Sequence, residues 1–443
     1  MHFSITKNCL KMTYKLTFPV VAVLFGLVIV FRDPVLLLDP RFWAEEGALY
    51  FHHALVSPGL KDFFSPALGY YSLVVKIAVY LALFVPIENA PLITTVMSGL
   101  VIWSCVVLII TSSNDFLAGF GVKCAFALML LFISSGEIWL NTITSQFWFP
   151  IGVLFLIIDQ SARSFAAHLW RYTFVFLAAM TGVMSFFLLP LVVFLLFLGE
   201  QTSRKHLTRI LVLLSLGLIL QLVLILVFGF GFELANVDLQ GGDRLDDGFS
   251  IYKIVKSLLG YYSVYPFTGL FLFDEIPVLY YVIAVHSLFS IILVFLFKSW
   301  SIESLGILLT IVGASLATIA LSVGTAGGLR YAFMINAMVL LLIYSTLNKN
   351  VRISSGKSLL TIQLLVLAWF TATLEFRYKT YDFSSPDWPS WRAQLSGQEC
   401  VSKDIAIWPH EPFPWYVSDV ICPYQPNDAD SLRQEILEFS DDS

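Results

Sequence analysis

The chain has 443 residues, of which 58% are hydrophobic and only 13% charged, with a formal net charge of −5. A water-soluble domain carries roughly 25% charged residues, because its surface faces water. The composition therefore excludes an ordinary soluble enzyme, and the mild acidity gives no support to nucleic-acid binding.

The first apolar run, Leu16 to Phe31, follows Lys7, Lys11 and Lys15, which predicts a retained anchor with a cytoplasmic N-terminus. Further apolar runs lie at 69–87, 91–110, 122–135, 147–159, 172–198, 207–230, 278–297, 303–323, 330–347 and 358–374. Several are shorter than the roughly 20 residues of a full span. The expectation is an all-α, polytopic transmembrane bundle of about 9–11 spans, covering 1–374, with interfacial helices and a polar tail, 375–443. Basic residues mark Arg204, Lys205 and Arg209, then Lys298, then Lys349, Arg352 and Lys357 as cytoplasmic. Alternation then puts loops 32–68 and 231–277 and the tail outside. Between 110 and 200 the count is open: Gly182 and Pro190 interrupt a long run, Arg163 and Arg171 fall on the outer side against the rule, and a re-entrant segment fits.

The first outer loop carries RFWAEEGALYF. Asp39-Pro40 predicts a helix start, with Asp39 as cap, and an aromatic helix from Arg41 to about Leu55 lying in the membrane interface. Glu45 and Glu46 are adjacent, so they diverge by about 100° around that helix. They are either solvated surface charges or a functional pair at the membrane boundary. His52 and His53 have no third ligand at metal spacing, so no metal site is predicted.

Among the intramembrane cations, Lys76 lies within the second run and Arg330, followed by Tyr331, opens the tenth. Lys76 either snorkels or faces a polar cavity; Arg330 is either a helix-end anchor or a site cation. Glu137, Asn141 and Gln146 form a polar cluster among apolar neighbours, suited to a re-entrant turn beside the acidic pair. Asp243, Asp246 and Asp247 read as a solvated loop. Trp388, Trp391, Trp408 and Trp415 in the tail suit a sugar-acceptor platform or headgroup anchoring. Cys400 and Cys422 suit a disulfide in an oxidising compartment, whereas Cys9, Cys105 and Cys124 read as small hydrophobes. Asp428 and Asp430 mimic a sugar-nucleotide motif without a nucleotide-binding fold around them.

The first loop, placed straight after a single span, resembles that of the GT-C membrane glycosyltransferases. It is most similar to the prophage-encoded, serotype-converting O-antigen glucosyltransferases of enteric bacteria (Gtr type). The resemblance implies that Glu45 and Glu46 are the acidic pair holding the catalytic base, without saying which is the base. It also implies that Lys76, Arg330 and Tyr331 grip the donor phosphate. The implied reaction is inverting transfer of glucose from undecaprenyl-phosphate-glucose to the lipid-linked O-antigen repeat of lipopolysaccharide, on the periplasmic face of a bacterial inner membrane. A donor flippase and a donor synthase are the implied companions. No soluble cofactor is implied, and a divalent metal is left open. Two rival readings are a lipid-linked sugar flippase or transporter and an O-antigen polymerase.

Overall fold

A computed structural model describes residues 18–67, 69–117, 119–133, 136–159, 164–199, 204–228, 301–321, 329–351, 390–396, 404–407 and 415–417. The protein is mostly helical. The helices are α1 (Phe18–Arg32), α2 (Val35–Leu38), a π-turn (Glu46–Phe51) running into α3 (His52–Val56), α4 (Leu60–Phe64), α5 (Leu73–Ala82), α6 (Ala90–Thr111), α7 (Phe120–Ile133), α8 (Ser145–Ile157), α9 (Phe165–Ala179), α10 (Leu189–Leu198), α11 (Arg204–Phe228), α12 (Ile302–Leu321), α13 (Leu329–Val351) and α14 (Trp391–Ser396). Strands β1 (Ile405–Ile407) and β2 (Trp415–Val417) pair antiparallel, with Ile407 opposite Trp415.

Every residue of α8 is buried, so this helix is apolar all round, as a central helix must be. The opposite case is α11, where Val212, Ile219 and Val227 are 57%, 57% and 64% exposed. An apolar face of that length is matched only by an apolar surrounding. The segments Ile87–Thr111 and Arg204–Phe228 are long and apolar enough to cross a membrane.

Hydrogen bonds between helix ends order the bundle. At one end, called the acidic-pair end below, Arg32 at the close of α1 donates to the Leu131 carbonyl near the close of α7. Thr94 at the start of α6 donates to Glu46, and Phe64 stacks on Phe228 at the close of α11, 6.2 Å between centroids. Arg330 at the start of α13 reaches Glu137. At the far end, Ser113 N–H donates to Asp159 Oδ1 (2.9 Å), Arg171 closes on the same carboxylate, and His206 meets the Leu156 carbonyl (2.8 Å).

Two expected spans change in consequence. The run 69–87 yields only the ten residues of α5, about 15 Å of helix. Both of its flanks lie at the acidic-pair end: Leu73 N–H donates to Met180 O (2.8 Å), and Ile87 O accepts from Trp391 Nε1 (2.9 Å). The run 172–198, conversely, is not one helix. It breaks at Thr181–Val183, where Gly182 has φ 76°. There Gly182 N–H donates to Tyr71 O (3.0 Å), and Gln221 Nε2 donates to the Gly182 carbonyl (2.9 Å). A Cβ on residue 182 would lie 2.1 Å from Gln146 Oε1, so glycine is needed for space as well as for φ. Arg171 therefore shares the far end with Arg204, Lys205 and Arg209, while Arg163 lies outside the described residues.

Asp39 is a further correction. It closes α2 instead of opening the next helix, and its carboxylate holds Arg41 Nη2 (3.1 Å) and the Ser390 hydroxyl. The runs 278–297 and 358–374, the loop 231–277, Trp388, Trp408, Cys400 and Cys422 lie outside the described residues.

Candidate functional site

The acidic-pair segment starts on an unusual backbone. Ala44 has φ 37°, a left-handed conformation that a residue with a side chain adopts at a cost. The chain then enters the π-turn, a local widening that recurs at functional sites. Gly47 lets this turn settle onto its neighbours: a Cβ there would lie 2.6 Å from both Phe42 Cβ and Ile407 Cδ1.

Glu46 is buried, 1% exposed, and its carboxylate is fully engaged. Oε1 accepts from Thr142 N–H (2.7 Å) and from the Thr142 hydroxyl. Oε2 accepts from Trp43 N–H (3.3 Å) and the Thr94 hydroxyl (3.2 Å). Burial raises this carboxyl above its ordinary pKa, while the donors pull it down. Glu46 thus staples the first loop to α6 and to the turn before α8. The second arm of that clasp is strained too, since Leu140 has φ 53°. Asn141 Oδ1 accepts from Thr144 N–H (3.0 Å), which holds the turn in shape.

Glu45 is placed differently. It is half-buried, and among the described residues its carboxylate accepts no hydrogen bond. Its electrostatic neighbours are Tyr70, Tyr50 and Arg330. Arg330 Nη1 sits 3.6 Å from Glu137 Oε1, with the two side chains 27% and 26% exposed. That is a loose pair, longer than a hydrogen bond. The guanidinium carbon lies 5.3 Å from the centroid of the Tyr331 ring, and Tyr331 meets Phe147 edge-on at 5.5 Å. Tyr70 OH accepts from Gln146 Nε2 (3.0 Å); burial first, and the Glu45 charge second, push this phenol up. One cluster therefore gathers Glu45, Tyr70, Glu137, Gln146, Arg330 and Tyr331.

Two other expected site residues are engaged elsewhere. Lys76, 2% exposed, gives its ammonium to Asp62 Oδ1 at 3.0 Å, and Asp62 Oδ2 takes the Tyr80 hydroxyl (3.0 Å). Its charge is thus paired inside the protein. Trp391 is 1% exposed, edge-on to Phe42 at 5.2 Å; it anchors the tail and has no free face for a sugar. Of Trp415 only the strand backbone is described. The rings of His52 and His53 lie 5.8 Å apart, and among the described residues no three metal-ligating side chains gather.

Thr94, Thr142, Tyr70 and Asp62 were missed by the sequence reading. Only the polar cluster Glu137–Gln146, already noted beside the acidic pair, pointed toward Thr142. Comparison with family models, curated proteins and solved structures gives no match.

Proposed function

We propose that the chain is a polytopic membrane glycosyltransferase that uses Glu45 as general base at the acidic-pair end. The observation that carries this is the contrast between two adjacent glutamates: Glu46 is saturated with donors, whereas Glu45 accepts no hydrogen bond among the described residues and has a loosely paired Arg330 as an electrostatic neighbour. Clustering of Arg171, Arg204, Lys205 and Arg209 at the far end supports a cytoplasmic far end under the positive-inside rule. The acidic-pair end then faces the periplasm of an inner-membrane protein. Nucleotide sugars are confined to the cytoplasm, so a donor used there carries its sugar on a lipid phosphate. Following the resemblance of the first loop, that donor is undecaprenyl-phosphate-glucose and the acceptor is the lipid-linked O-antigen repeat.

In the reaction, the acceptor hydroxyl oxygen attacks the anomeric carbon and its proton passes to Glu45. The bond from that carbon to the phosphate oxygen breaks with inversion, and the leaving phosphate gains charge beside Arg330. Glu137 and Tyr331 hold the guanidinium in place, and Tyr70, kept protonated, is a donor within the same cluster.

The test is transfer of labelled glucose from a synthetic polyprenyl-phosphate donor onto lipid-linked O-antigen in membranes. Glu45→Gln should lose transfer at unchanged protein abundance. Wild-type transfer by Glu45→Gln would remove the base from this reading and favour a sugar-lipid flippase.

A further inference from the structure

The turn that leads into α8 holds more than the acidic pair. Thr142 grips Glu46, and four residues on, Gln146, 8% exposed, reaches the loop before α5. Gln146 Nε2 donates to the Ile143 carbonyl (3.4 Å) and to the Tyr70 hydroxyl (3.0 Å). A carbonyl only accepts, so this atom is the amide nitrogen, and the phenol oxygen is its acceptor. The Tyr70 proton therefore points away from Gln146, and among the described residues it meets no acceptor.

The phenol is fixed from both sides. Tyr70 and Ala67 exchange backbone hydrogen bonds, 3.1 Å each, around Gly69 at φ 81°. The next residue is tied to α11, Tyr71 N–H donating to Gln221 Oε1 (3.4 Å). Gln146 in turn fills the space beside Gly182, where an added Cβ would stand 2.7 Å from Gln146 Cβ. Tyr70 is nevertheless only half-buried, so part of its surface stays open.

Which group it meets follows from its surroundings. Glu45 is its foremost charged neighbour, ahead of Tyr331 and Arg330. Tyr50 is a further neighbour of Glu45, and Glu137 pairs with Arg330. Burial and the Glu45 charge keep the Tyr70 phenol protonated, so it donates a hydrogen bond and does not compete for a proton. In the glycosyl-transfer reading the group bound against Glu45 is the acceptor hydroxyl, whose oxygen has two lone pairs. One lone pair can accept from Tyr70 while the other attacks.

We propose that Tyr70 anchors the attacking hydroxyl of the acceptor, and that Gln146 is the positioning residue that aims the phenol. This assignment rests on the glycosyl-transfer reading. The acceptor proton passes to Glu45, the new carbon–oxygen bond forms as the bond to the phosphate oxygen breaks, and the Tyr70 proton stays on its own oxygen.

The test separates the two substrates in the membrane transfer assay. Tyr70→Phe removes one oxygen atom and should raise the KM for the acceptor about tenfold, the upper worth of a neutral hydrogen bond. The KM for the donor should not change. Gln146→Leu should raise the acceptor KM by less, and not at all once Tyr70 is Phe, because it acts through the phenol. An unchanged acceptor KM in Tyr70→Phe, or a rise in both KM values, overturns the anchor. Additive effects of the two substitutions overturn the role of Gln146.

A second measurement needs no turnover. In the Glu45→Gln background, calorimetric affinity for the lipid-linked O-antigen repeat, in detergent and without donor, should fall about tenfold with Tyr70→Phe. That loss of affinity, with transfer retained by Glu45→Gln, would remove the base and keep the anchor. Equal affinity with and without the phenol, with transfer lost by Glu45→Gln, would keep the base and remove the anchor. No affinity of the wild-type chain for the repeat would overturn both.

Discussion

The two ends of the bundle differ in how completely they match their charges. At the far end, Asp159 and Arg171 close on each other inside the protein, 4% and 3% exposed, with Ser113 N–H on the remaining carboxylate oxygen. His206 bridges the Tyr172 hydroxyl (3.2 Å) and the Leu156 carbonyl. At the acidic-pair end Lys76 and Asp62 are closed in the same way, but beside them the charges are closer to solvent and incompletely matched: among the described residues Glu45 accepts no hydrogen bond, and Arg330 sits 3.6 Å from Glu137. Both non-glycine residues with positive φ among the described residues, Ala44 and Leu140, also lie there. Backbone strain lowers stability and collects at functional sites, and both strained residues sit at the end that carries Glu45 and the loosely paired Arg330.

The sharpest way to break this comparison is to exchange the expected phenotypes. Glu45→Gln should lower transfer by about 10²–10⁴-fold, the usual worth of a general base, while thermal stability in detergent stays at the wild-type value. Asp159→Ala should do the reverse. Stranding Arg171 inside the protein costs about 3–5 kcal/mol, read as lost abundance and a lower unfolding temperature, with turnover per surviving molecule unchanged. The double variant Asp159→Leu, Arg171→Met should recover much of that stability, because no unpaired charge remains. A far-end variant that selectively lost turnover would refute the division between the ends.

Glu46→Gln sharpens the contrast within the acidic pair. An amide presents N–H groups where Trp43 N–H now donates, so stability should fall by about 1–3 kcal/mol, with turnover per molecule kept. Its pH dependence gives a second readout. Burial raises the Glu46 carboxyl above 4.5, so the folded chain holds this proton more tightly than the unfolded chain does. The resulting stabilisation is complete below 4.5 and declines as pH rises through the folded-state value. Stability of Glu46→Gln, which has no proton to lose there, should decline less over that window. A parallel pH profile for the two proteins would mean that Glu46 is ionised throughout.

Much of this arrangement was legible in the sequence, and the failures share a cause. RFWAEEGALYF and Arg330-Tyr331 stood out because charge is rare in this chain, and the structure brings Glu45 and Arg330 to one end. Hydropathy reads burial in protein and burial in lipid alike, so it could not tell that 69–87 turns back at the acidic-pair end. Nor could it tell that 172–198 breaks at Gly182, whose carbonyl and N–H are met by Gln221 and by the Tyr71 carbonyl, both remote in sequence. Lys76 looked available because its partner, Asp62, sits 14 residues earlier in a different helix. The role of Glu46 depends on Thr94 and Thr142, which nothing local distinguishes from other threonines.

The smallest expected effect tests whether the strain beside Glu45 is real. Ala44 is 4% exposed and held at φ 37°, where a Cβ crowds the following carbonyl by roughly 1–2 kcal/mol. Glycine reaches that region freely, at the cost of greater freedom in the unfolded chain, roughly 0.5–1 kcal/mol. The two terms nearly offset, so Ala44→Gly should be neutral or stabilising by up to about 1 kcal/mol, although it removes a buried methyl. Gly47→Ala, three residues on, is the control for a position where the added methyl has no space. Its Cβ would lie 2.6 Å from Phe42 Cβ, and overpacking of that kind costs about 1–3 kcal/mol. If Ala44→Gly instead destabilises as much as Gly47→Ala, the left-handed turn before Glu45 is not a strained feature. The acidic-pair end would then owe its distinct character to its loosely paired charges alone.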